Sequence, residues 1–267
     1  MQIEFEIVVF GLFLMALLYS AVGHGGASGY LAILSLSVYA NEGDLWLKQY
    51  AWFLNLIVAG IAFFNYRKEG FHNRDLTWPF LVTSIPFTFF ASSLKIGDGG
   101  YNLLLSLFLI YAAWKLLMGK KMNVAENKTL KVSNALLIGA IIGLTCGLVG
   151  IGGGILLSPI LIINGWAKPK TAAATSAIFI WLNSLAGIIG SSISQHLVDL
   201  GNITPFVLAV LLGGFIGSKY GSKNAPQNSI KYLLSAVLLI AASKSCLLYT
   251  SDAADEGLGV DLGGRRI

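Results

Sequence analysis

Two glycine-rich segments carry the clearest candidate binding chemistry in this sequence. They occupy residues 23–29 (GHGGASG) and 150–154 (GIGGG), and a short apolar stretch follows each, at 30–39 and 155–163. Stretches this short are typical of half helices that follow a break within a membrane. The amides freed at the start of such a helix favour an anion, and glycine lets the anion approach the backbone. The two segments therefore predict an anion-binding site made largely of backbone N–H groups.

Side chains near these segments extend the candidate site. His24 could carry a proton or donate to the anion, or it could be a neutral histidine hydrogen-bonded at the glycine turn. Asn55 and Asn183 hold matching mid-helix positions, where an amide can bridge helices or bind the substrate. Serine and threonine add neutral donors, although they often bond back to their own helix. The predicted anion-binding residues are Gly25, Gly26, Ser28, Asn55, Gly152, Gly153, Gly154, Thr175, Ser176 and Asn183.

Close helix packing is the main alternative explanation for the glycines, because glycine is common in membrane helices. Their duplication at equivalent positions, each before a short helix, favours a binding site. A nucleotide phosphate loop is disfavoured, because GIGGG does not match the dinucleotide fingerprint and no βαβ pattern surrounds it. The apolar spans contain no carboxylate pair and no His-x-x-x-His or Cys-x-x-Cys spacing. The sequence therefore predicts no enzyme, no metal site and no cofactor.

Composition places these residues in a membrane. Hydrophobic residues make up 55% of the 267 positions and charged residues 12%, and the mean hydropathy is +0.73. Soluble domains carry about 25% charged residues. The apolar residues fall into runs of roughly 16 to 21 residues, which is the length that crosses a hydrocarbon core about 30 Å thick. The predicted spans are 7–22, 50–66, 76–94, 101–118, 133–149, 171–191, 203–218 and 229–245.

The sequence also repeats itself at an offset of about 126 to 129 positions. Matching landmarks follow in the same order in both copies: Val22-Gly23 with Val149-Gly150, Leu54-Asn55 with Leu182-Asn183, and Pro79-Phe80 with Pro205-Phe206. If each glycine break turns the chain back, each copy crosses the membrane three times. An odd number of crossings means that the two copies are inverted relative to each other.

Charge favours the inverted arrangement. The loops predicted to lie inside carry most of the lysines and arginines, whereas the outside loops carry only Lys48, Lys95 and Lys244. A plain eight-crossing zigzag would place the basic loops on opposite sides, against the positive-inside tendency. Full crossing by each short segment, five spans plus five, is also inverted and stays open. Because the basic residues serve orientation, the net charge of +5 does not predict nucleic-acid binding.

We therefore expect an all-α integral membrane protein. It has about eight transmembrane helices in two inverted repeats, each beginning with a glycine-broken helix and a short half helix. The expected organisation is a first repeat at 1–118, a cytoplasmic linker at 119–132 and a second repeat at 133–245. Residues 246–267 resemble a translated sequencing adaptor and primer, and the internal repeat stops near Ser245. We exclude this tail from the functional argument, with a genuine soluble tail as the alternative.

One motif is specific enough to suggest a family. The segment GIGGGILLSPIL at 150–161, followed by AAATS at 172–176, resembles the TauE/SafE family of sulfite exporters. The resemblance covers roughly residues 5–245. The first copy departs from the motif, since His24 and Ala27 replace an apolar residue and a glycine, and no proline stands near Ala32. The resemblance implies two glycine-rich helical repeats in the bacterial inner membrane and export of sulfite or an organosulfonate.

Together these observations predict a secondary transporter of small anions, most simply an exporter of sulfite or an organosulfonate across the bacterial inner (cell) membrane. Its expected partners are the anion and the lipid bilayer, and a homo-oligomer is left open. A passive anion channel could use the same amides. A membrane-embedded enzyme would need a catalytic group, and a non-transporting scaffold would bind no anion. Export rests on the resemblance alone, because inverted repeats are directionally neutral.

Overall fold

The computed structural model of the chain describes residues 4–94, 99–118, 130–197, 199, 201 and 203–258. This part of the chain is helical and contains no β-strand. Its α-helices are α1 (Phe5–Ser20), α2 (Ala27–Ser35), α3 (Asp44–Lys68), α4 (Arg74–Ala91), α5 (Gly99–Met118), α6 (Val132–Val149), α7 (Gly154–Ile163), α8 (Pro169–Ser194), α9 (Thr204–Lys219) and α10 (Gln227–Leu258).

Several of these helices are apolar enough for a bilayer. Among the described residues, four are long and apolar enough to cross one: α3, α6, α8, and α9 with its extension to Asn224. Shorter apolar helices lie at Phe5–Ser20, Leu109–Met118, Gly154–Ile163 and Gln227–Ala242. The all-α fold class is therefore confirmed, and the number of about eight spans stays a prediction.

The two short helices α2 and α7 follow the glycine segments. They contain 9 and 10 residues, so each is about 15 Å long, or half of the hydrocarbon core. The first differs from the expected stretch at 30–39, because α2 begins at Ala27 and ends at Ser35. A 3₁₀ turn, Val38–Glu42, then begins where the Ser37 hydroxyl accepts the Tyr39 N–H.

Glycines spaced four residues apart build two tight helix pairs. On α6 a Cβ at Gly139, Gly143 or Gly147 would overlap main-chain atoms of α4 at Phe80, Ser84 and Thr88 in turn. On α9 the same is true of Gly213 and Gly217, which face Phe13 and Leu17 of α1. In both pairs the contacts advance in the same direction along the two chains, so the paired helices are parallel. This spacing lets backbones approach closely where no hydrophobic effect drives association.

Helices α3 and α8 cross antiparallel at the centre of the molecule. Trp52 packs against Gly187 and Trp181 against Gly60, so positions rise on one helix as they fall on the other. In the most apolar windows, 72% of α8 and 56% of α3 is buried. Near the start of α3, Gln49 Nε2 donates to the His196 carbonyl at 2.8 Å. These two helices therefore supply the side chains at the middle of the fold.

The two ends of the bundle differ in charge. The basic end carries Arg67, Lys68, Arg74 and Lys168, and Lys170 Nζ there lies 4.9 Å from the Phe71 ring centroid. The opposite end carries Glu42, Asp44 and Asp199, and Trp46 Nε1 there donates to the Asp199 carbonyl at 3.1 Å.

The expected domain boundaries fall near the edges of the described residues. Helix α5 ends at Met118 and α6 begins at Val132, and most of the expected linker at 119–132 lies outside the described residues. Helix α10 continues to Leu258, beyond residue 245. The foreign origin of 246–267 stays a prediction.

Candidate anion-binding site

The chain breaks between helices at both glycine segments. In the first, Gly23 and Gly26 have φ of +74° and +99°, and in the second, Gly150, Gly152 and Gly153 have φ of +83°, +65° and +70°. Residues with a Cβ rarely adopt these values. The glycines are therefore needed to let the chain leave one helix and start the next.

Both breaks border one small central cavity of about 10 Å³. The first segment contributes residues 24–28, and the second contributes Ile151 and Ile155, with Tyr19, Asn55 and Ile180 completing the wall. A space of this size holds about one water molecule. The central cavity is therefore closed around its polar groups in this structure.

Several backbone amides at the two breaks make no hydrogen bond with any described residue. In the first segment these are the amides of Gly25 and Gly26, and in the second those of Ile151 and Gly152. All four residues are buried. Because an unpaired amide away from water is costly, such groups are ready to bind an acceptor. An oxyanion supplies acceptors of this kind.

Asn55, near the middle of α3, lies between the two breaks. Its Oδ1 accepts the Ala27 N–H at 3.0 Å and so caps α2, while its Nδ2 donates to Ser184 Oγ at 3.3 Å. A Cβ at Gly25 would overlap Oδ1, and a Cβ at Gly152 would lie 2.6 Å from Nδ2. Gly25 and Gly152, both predicted site residues, therefore contact the same side chain, that of Asn55.

His24 is 1% exposed and borders the cavity. Its Nδ1 lies 3.0 Å from the Val22 carbonyl, and since a carbonyl only accepts, Nδ1 carries a hydrogen. Its Nε2 is buried and has no hydrogen-bond partner. The neutral ring therefore presents a bare lone pair, and the protonated ring presents an N–H. His24 therefore makes the hydrogen bond expected at the glycine turn through Nδ1, and its Nε2 is available to accept a proton.

Two tyrosines that the sequence did not single out also shape the first break. Tyr19 Oη lies 2.9 Å from Ser28 Oγ, and Tyr30 Oη donates to the Gly25 carbonyl at 2.6 Å. Both rings are buried. Both tyrosines are close to the glycines in sequence, and the only sequence signal for their role is that a hydroxyl on an apolar helix needs a partner.

The remaining predicted residues lie elsewhere. Asn183 forms hydrogen bonds with Ser84 and Thr88 of α4. The Thr175 hydroxyl forms a hydrogen bond with the Thr77 hydroxyl, which is also on α4. The Ser176 and Ser158 hydroxyls are 2.6 Å apart between α8 and α7. None of Thr175, Ser176 and Asn183 borders the central cavity.

Gly153 and Gly154 support the second break by packing. A Cβ on Gly153 would overlap the Cys146 sulfur, and one on Gly154 would overlap Ile180. Close packing is therefore one reason for glycine at these two positions, beside the positive φ of Gly153, and their role in anion binding stays a prediction.

A wider cavity of about 610 Å³ opens at the opposite end, and we call it the vestibule. Its wall includes Glu42, Asp44, Lys48, Trp52, Ser191 and His196. From the sequence, Lys48 was expected in an outside loop. The structure places it in the first turns of α3, with its aliphatic stem against Gly150. The second break therefore has a lysine side chain beside it.

A third cavity, of about 800 Å³, lies at the basic end and is lined in part by His72, Arg74 and Lys168. Burial, together with the nearby Arg67 and Arg74 guanidinium groups, lowers the pKa of His72 below its ordinary value. Among the described residues, no group of three or more His, Cys, Asp or Glu side chains is placed to hold a metal ion.

Comparison with known proteins gives a match over most of the chain. The family model described as "Sulfite exporter TauE/SafE" matches residues 8–245. This confirms the resemblance drawn from the second glycine segment. No solved structure matches the chain.

Curated relatives carry transporter names. "Probable membrane transporter protein y4hK" of Sinorhizobium fredii is 32% identical over 237 residues, covering 87% of this chain and 94% of that protein. "Probable membrane transporter protein MJ0441" of Methanocaldococcus jannaschii is 26% identical over 263 residues, covering 89% and 96%. "Probable membrane transporter protein YunE" of Bacillus subtilis is 30% identical over 118 residues, covering 44% and 41%. With the apolar helices, these matches identify a multi-pass membrane protein.

Proposed function

The chain belongs to the TauE/SafE sulfite exporter family of membrane transporters, and on that premise we propose that it is a secondary transporter of small oxyanions. The substrate class is sulfite or an organosulfonate, carried outward across the bacterial inner membrane. One observation carries the proposal: two glycine breaks with unpaired amides converge on Asn55 and border the same cavity.

The helix pairs support inverted repeats. In the internal alignment, α1 corresponds to α6 and α4 to α9. Helix α1 packs against α9, and helix α6 packs against α4, so each pair joins one helix from each copy. After α1, the Ala21 carbonyl accepts from Tyr66 near the basic end. After α6, Gly150 lies against Lys48 near the opposite end. These contacts support a proposed arrangement in which the two breaks reach the centre from opposite ends, as in inverted-repeat transporters with a midplane site.

Backbone amides, aided by Asn55, Ser28 and Tyr19, are the proposed anion ligands. They offer donors without a fixed charge at the centre, so a small oxyanion is favoured by dipoles and hydrogen bonds. The same two half-helix N-termini direct positive dipole ends toward the cavity. A large apolar substrate would leave these buried donors unpaired, which disfavours it.

The closed cavity supports a gated transporter over an open pore. Because about 10 Å³ admits only about one water, a sulfite-sized anion enters after the repeats move. At the basic end, the Tyr66 hydroxyl donates to the Ala21 carbonyl at 2.6 Å, and Lys170 Nζ donates to the Ser222 carbonyl at 2.8 Å. At the opposite end, the vestibule approaches the centre. Rocking of one repeat against the other would open the basic end and close the vestibule end.

The test is flux in proteoliposomes with sulfite, sulfoacetate, thiosulfate and sulfate, each with and without an imposed pH gradient. We expect saturable movement of sulfite or sulfoacetate that the gradient raises. Flux of the same size without a gradient would assign a passive channel. No flux of any of the four anions would refute anion transport.

His24 provides a sharper variant of the same experiment. Glutamine can keep the hydrogen bond to Val22 but cannot be protonated, so we expect His24→Gln to retain downhill exchange and to lose the gradient-driven component. His72→Gln is the matched control, since His72 lies at the basic end and away from the central cavity. Equal gradient-driven flux in wild type and His24→Gln would remove His24 from coupling.

A further inference from the structure

One residue of the vestibule wall, Trp52, carries a buried hydrogen-bond donor that has no acceptor among the described residues. Trp52 is 0% exposed, and the donor is its indole Nε1–H. Trp46, in the same wall, donates its own Nε1–H to the Asp199 carbonyl. An indole N–H only donates and is normally paired when buried. The free donor of Trp52 therefore calls for a ligand that accepts.

The serine hydroxyls in the vestibule wall are not free to bind the same ligand, because they already make hydrogen bonds within the protein. Ser92 Oγ donates to the Phe89 carbonyl at 2.8 Å, and Ser191 Oγ donates to the Ile188 carbonyl at 3.1 Å. Ser191 Oγ also accepts from Gln49 Nε2 at 3.1 Å. Gln195 and His196 also line the vestibule, and the ammonium group in its wall belongs to Lys48.

Lys48 and Trp52 lie on one face of α3, one turn apart. The same face continues to Asp44 above and Asn55 below, at spacings of four, four and three residues. With a rise of 1.5 Å per residue, Lys48 stands about 6 Å from the level of Trp52 and about 10 Å from that of Asn55. This face therefore leads from a carboxylate at the mouth, past an ammonium and an indole N–H, to the central amide.

The surroundings hold both groups in place. The Trp52 ring lies against Gly187 of α8, where a Cβ would come within 2.8 Å of the ring. The stem of Lys48 packs against Gly150, where a Cβ would come within 2.8 Å of its Cγ. Lys48 makes no ion pair with any carboxylate among the described residues. The carboxylates of Glu42 and Asp44 are exposed, so solvent and salt screen them.

We propose that the vestibule holds a second oxyanion-binding site, in which the Lys48 ammonium supplies the charge and Trp52 Nε1–H supplies the hydrogen bond. The ligand is a small anion with a sulfite or sulfonate oxygen. The proposal extends the transport function, on which its physiological role rests, by giving the anion a station between the central cavity and the opposite end. Charge-assisted hydrogen bonds to oxyanions are shorter and stronger than bonds between neutral groups.

The test uses the full chain labelled with 5-fluorotryptophan in lipid nanodiscs and monitored by fluorine NMR. The chain has 6 tryptophans, and Trp52→Phe assigns the Trp52 resonance by its disappearance. If that variant does not fold, single Trp→Phe changes at the other positions assign it by elimination. Sodium sulfite, kept anaerobic, and methanesulfonate are the probes. We expect a saturable shift of the Trp52 resonance.

Matched variants separate the site from general effects. Lys48→Gln should weaken the apparent affinity about tenfold or more, whereas Lys48→Arg should retain it, because charge is kept. Trp46→Phe should leave the Trp52 response unchanged, since its N–H is already bonded to Asp199. A Trp52 resonance unmoved by either anion, or moved equally in Lys48→Gln, would overturn the proposal. A response to methylammonium but to neither anion would overturn it as well and assign the acidic mouth to cations.

Flux of the same preparations distinguishes this proposal from the transport function. Wild-type flux with a silent Trp52 resonance refutes the vestibule site alone. A saturable Trp52 shift without flux supports the site and refutes transport.

Discussion

The two asparagines at matching positions of α3 and α8 should respond differently when their amides are removed. Asn183 uses both N–H groups, to Ser84 Oγ at 3.0 Å and the Phe179 carbonyl at 2.8 Å, and its Oδ1 accepts from Thr88 at 2.6 Å. Asn55 makes two hydrogen bonds, so one of its two N–H groups is unused. We expect Asn183→Ala to reduce stability and Asn55→Ala to reduce transport.

The magnitudes follow from the bonds lost. Hydrogen bonds between membrane helices contribute about 0.6 kcal/mol each on average. Asn183→Ala removes two bonds to α4 and one to the Phe179 carbonyl of its own helix, and with the same value for each the free energy of unfolding should fall by about 2 kcal/mol. Asn55→Ala removes two, one of them long, and should lower it by about 1 kcal/mol. Its flux should fall at least about tenfold, because the anion loses a donor and α2 loses its cap.

The assay measures both quantities on the same proteins. Reversible unfolding in mixed micelles with rising sodium dodecyl sulfate gives the free energy of unfolding. Sulfite flux in proteoliposomes, normalised to folded protein, gives transport. Asn65→Ala is the control, since Asn65 lies on α3 and bonds Ser218 at 2.7 Å, away from the central cavity. It should lose less than about 1 kcal/mol of stability and keep its flux.

Two outcomes would contradict the reasoning. In the first, Asn55→Ala is more destabilising than Asn183→Ala, which would mean that the number of side-chain hydrogen bonds does not determine the loss of unfolding free energy. In the second, Asn183→Ala abolishes flux at unchanged stability, which would make Asn183 a ligand despite its distance from the cavity.

Three further predictions concern single positions. Gly153→Ala should lower the melting temperature more than Gly70→Ala; both have positive φ, but a Cβ at Gly153 meets a sulfur, whereas nothing lies within 4 Å at Gly70, which should lose only about 1 kcal/mol. The pKa of His72 is lower folded than unfolded, so the folded chain binds fewer protons, and stability should fall as pH drops below about 6.5; His72→Gln should weaken that pH dependence in thermal unfolding. Lys170→Met keeps the stem but loses the 2.8 Å bond to the Ser222 carbonyl, and its free energy of unfolding should drop by about 1.5 kcal/mol.

Much of the architecture could be predicted from the sequence alone. Run length identifies membrane helices because the bilayer has a fixed thickness, and glycine runs locate breaks because few other residues adopt positive φ. These are local properties of the chain. They sufficed for the all-α class, both breaks with their short helices, and the family through the second glycine segment.

The partners of each polar side chain depended on the tertiary structure. Helical periodicity places Asn55 and Asn183 on equivalent faces, but only the crossing of α3 and α8 puts Asn55 between the breaks and Asn183 against α4. The same crossing brings in Ser184 and carries Lys48 to Gly150. A sequence states which face a residue occupies, and the neighbour that covers that face is chosen by packing between distant segments.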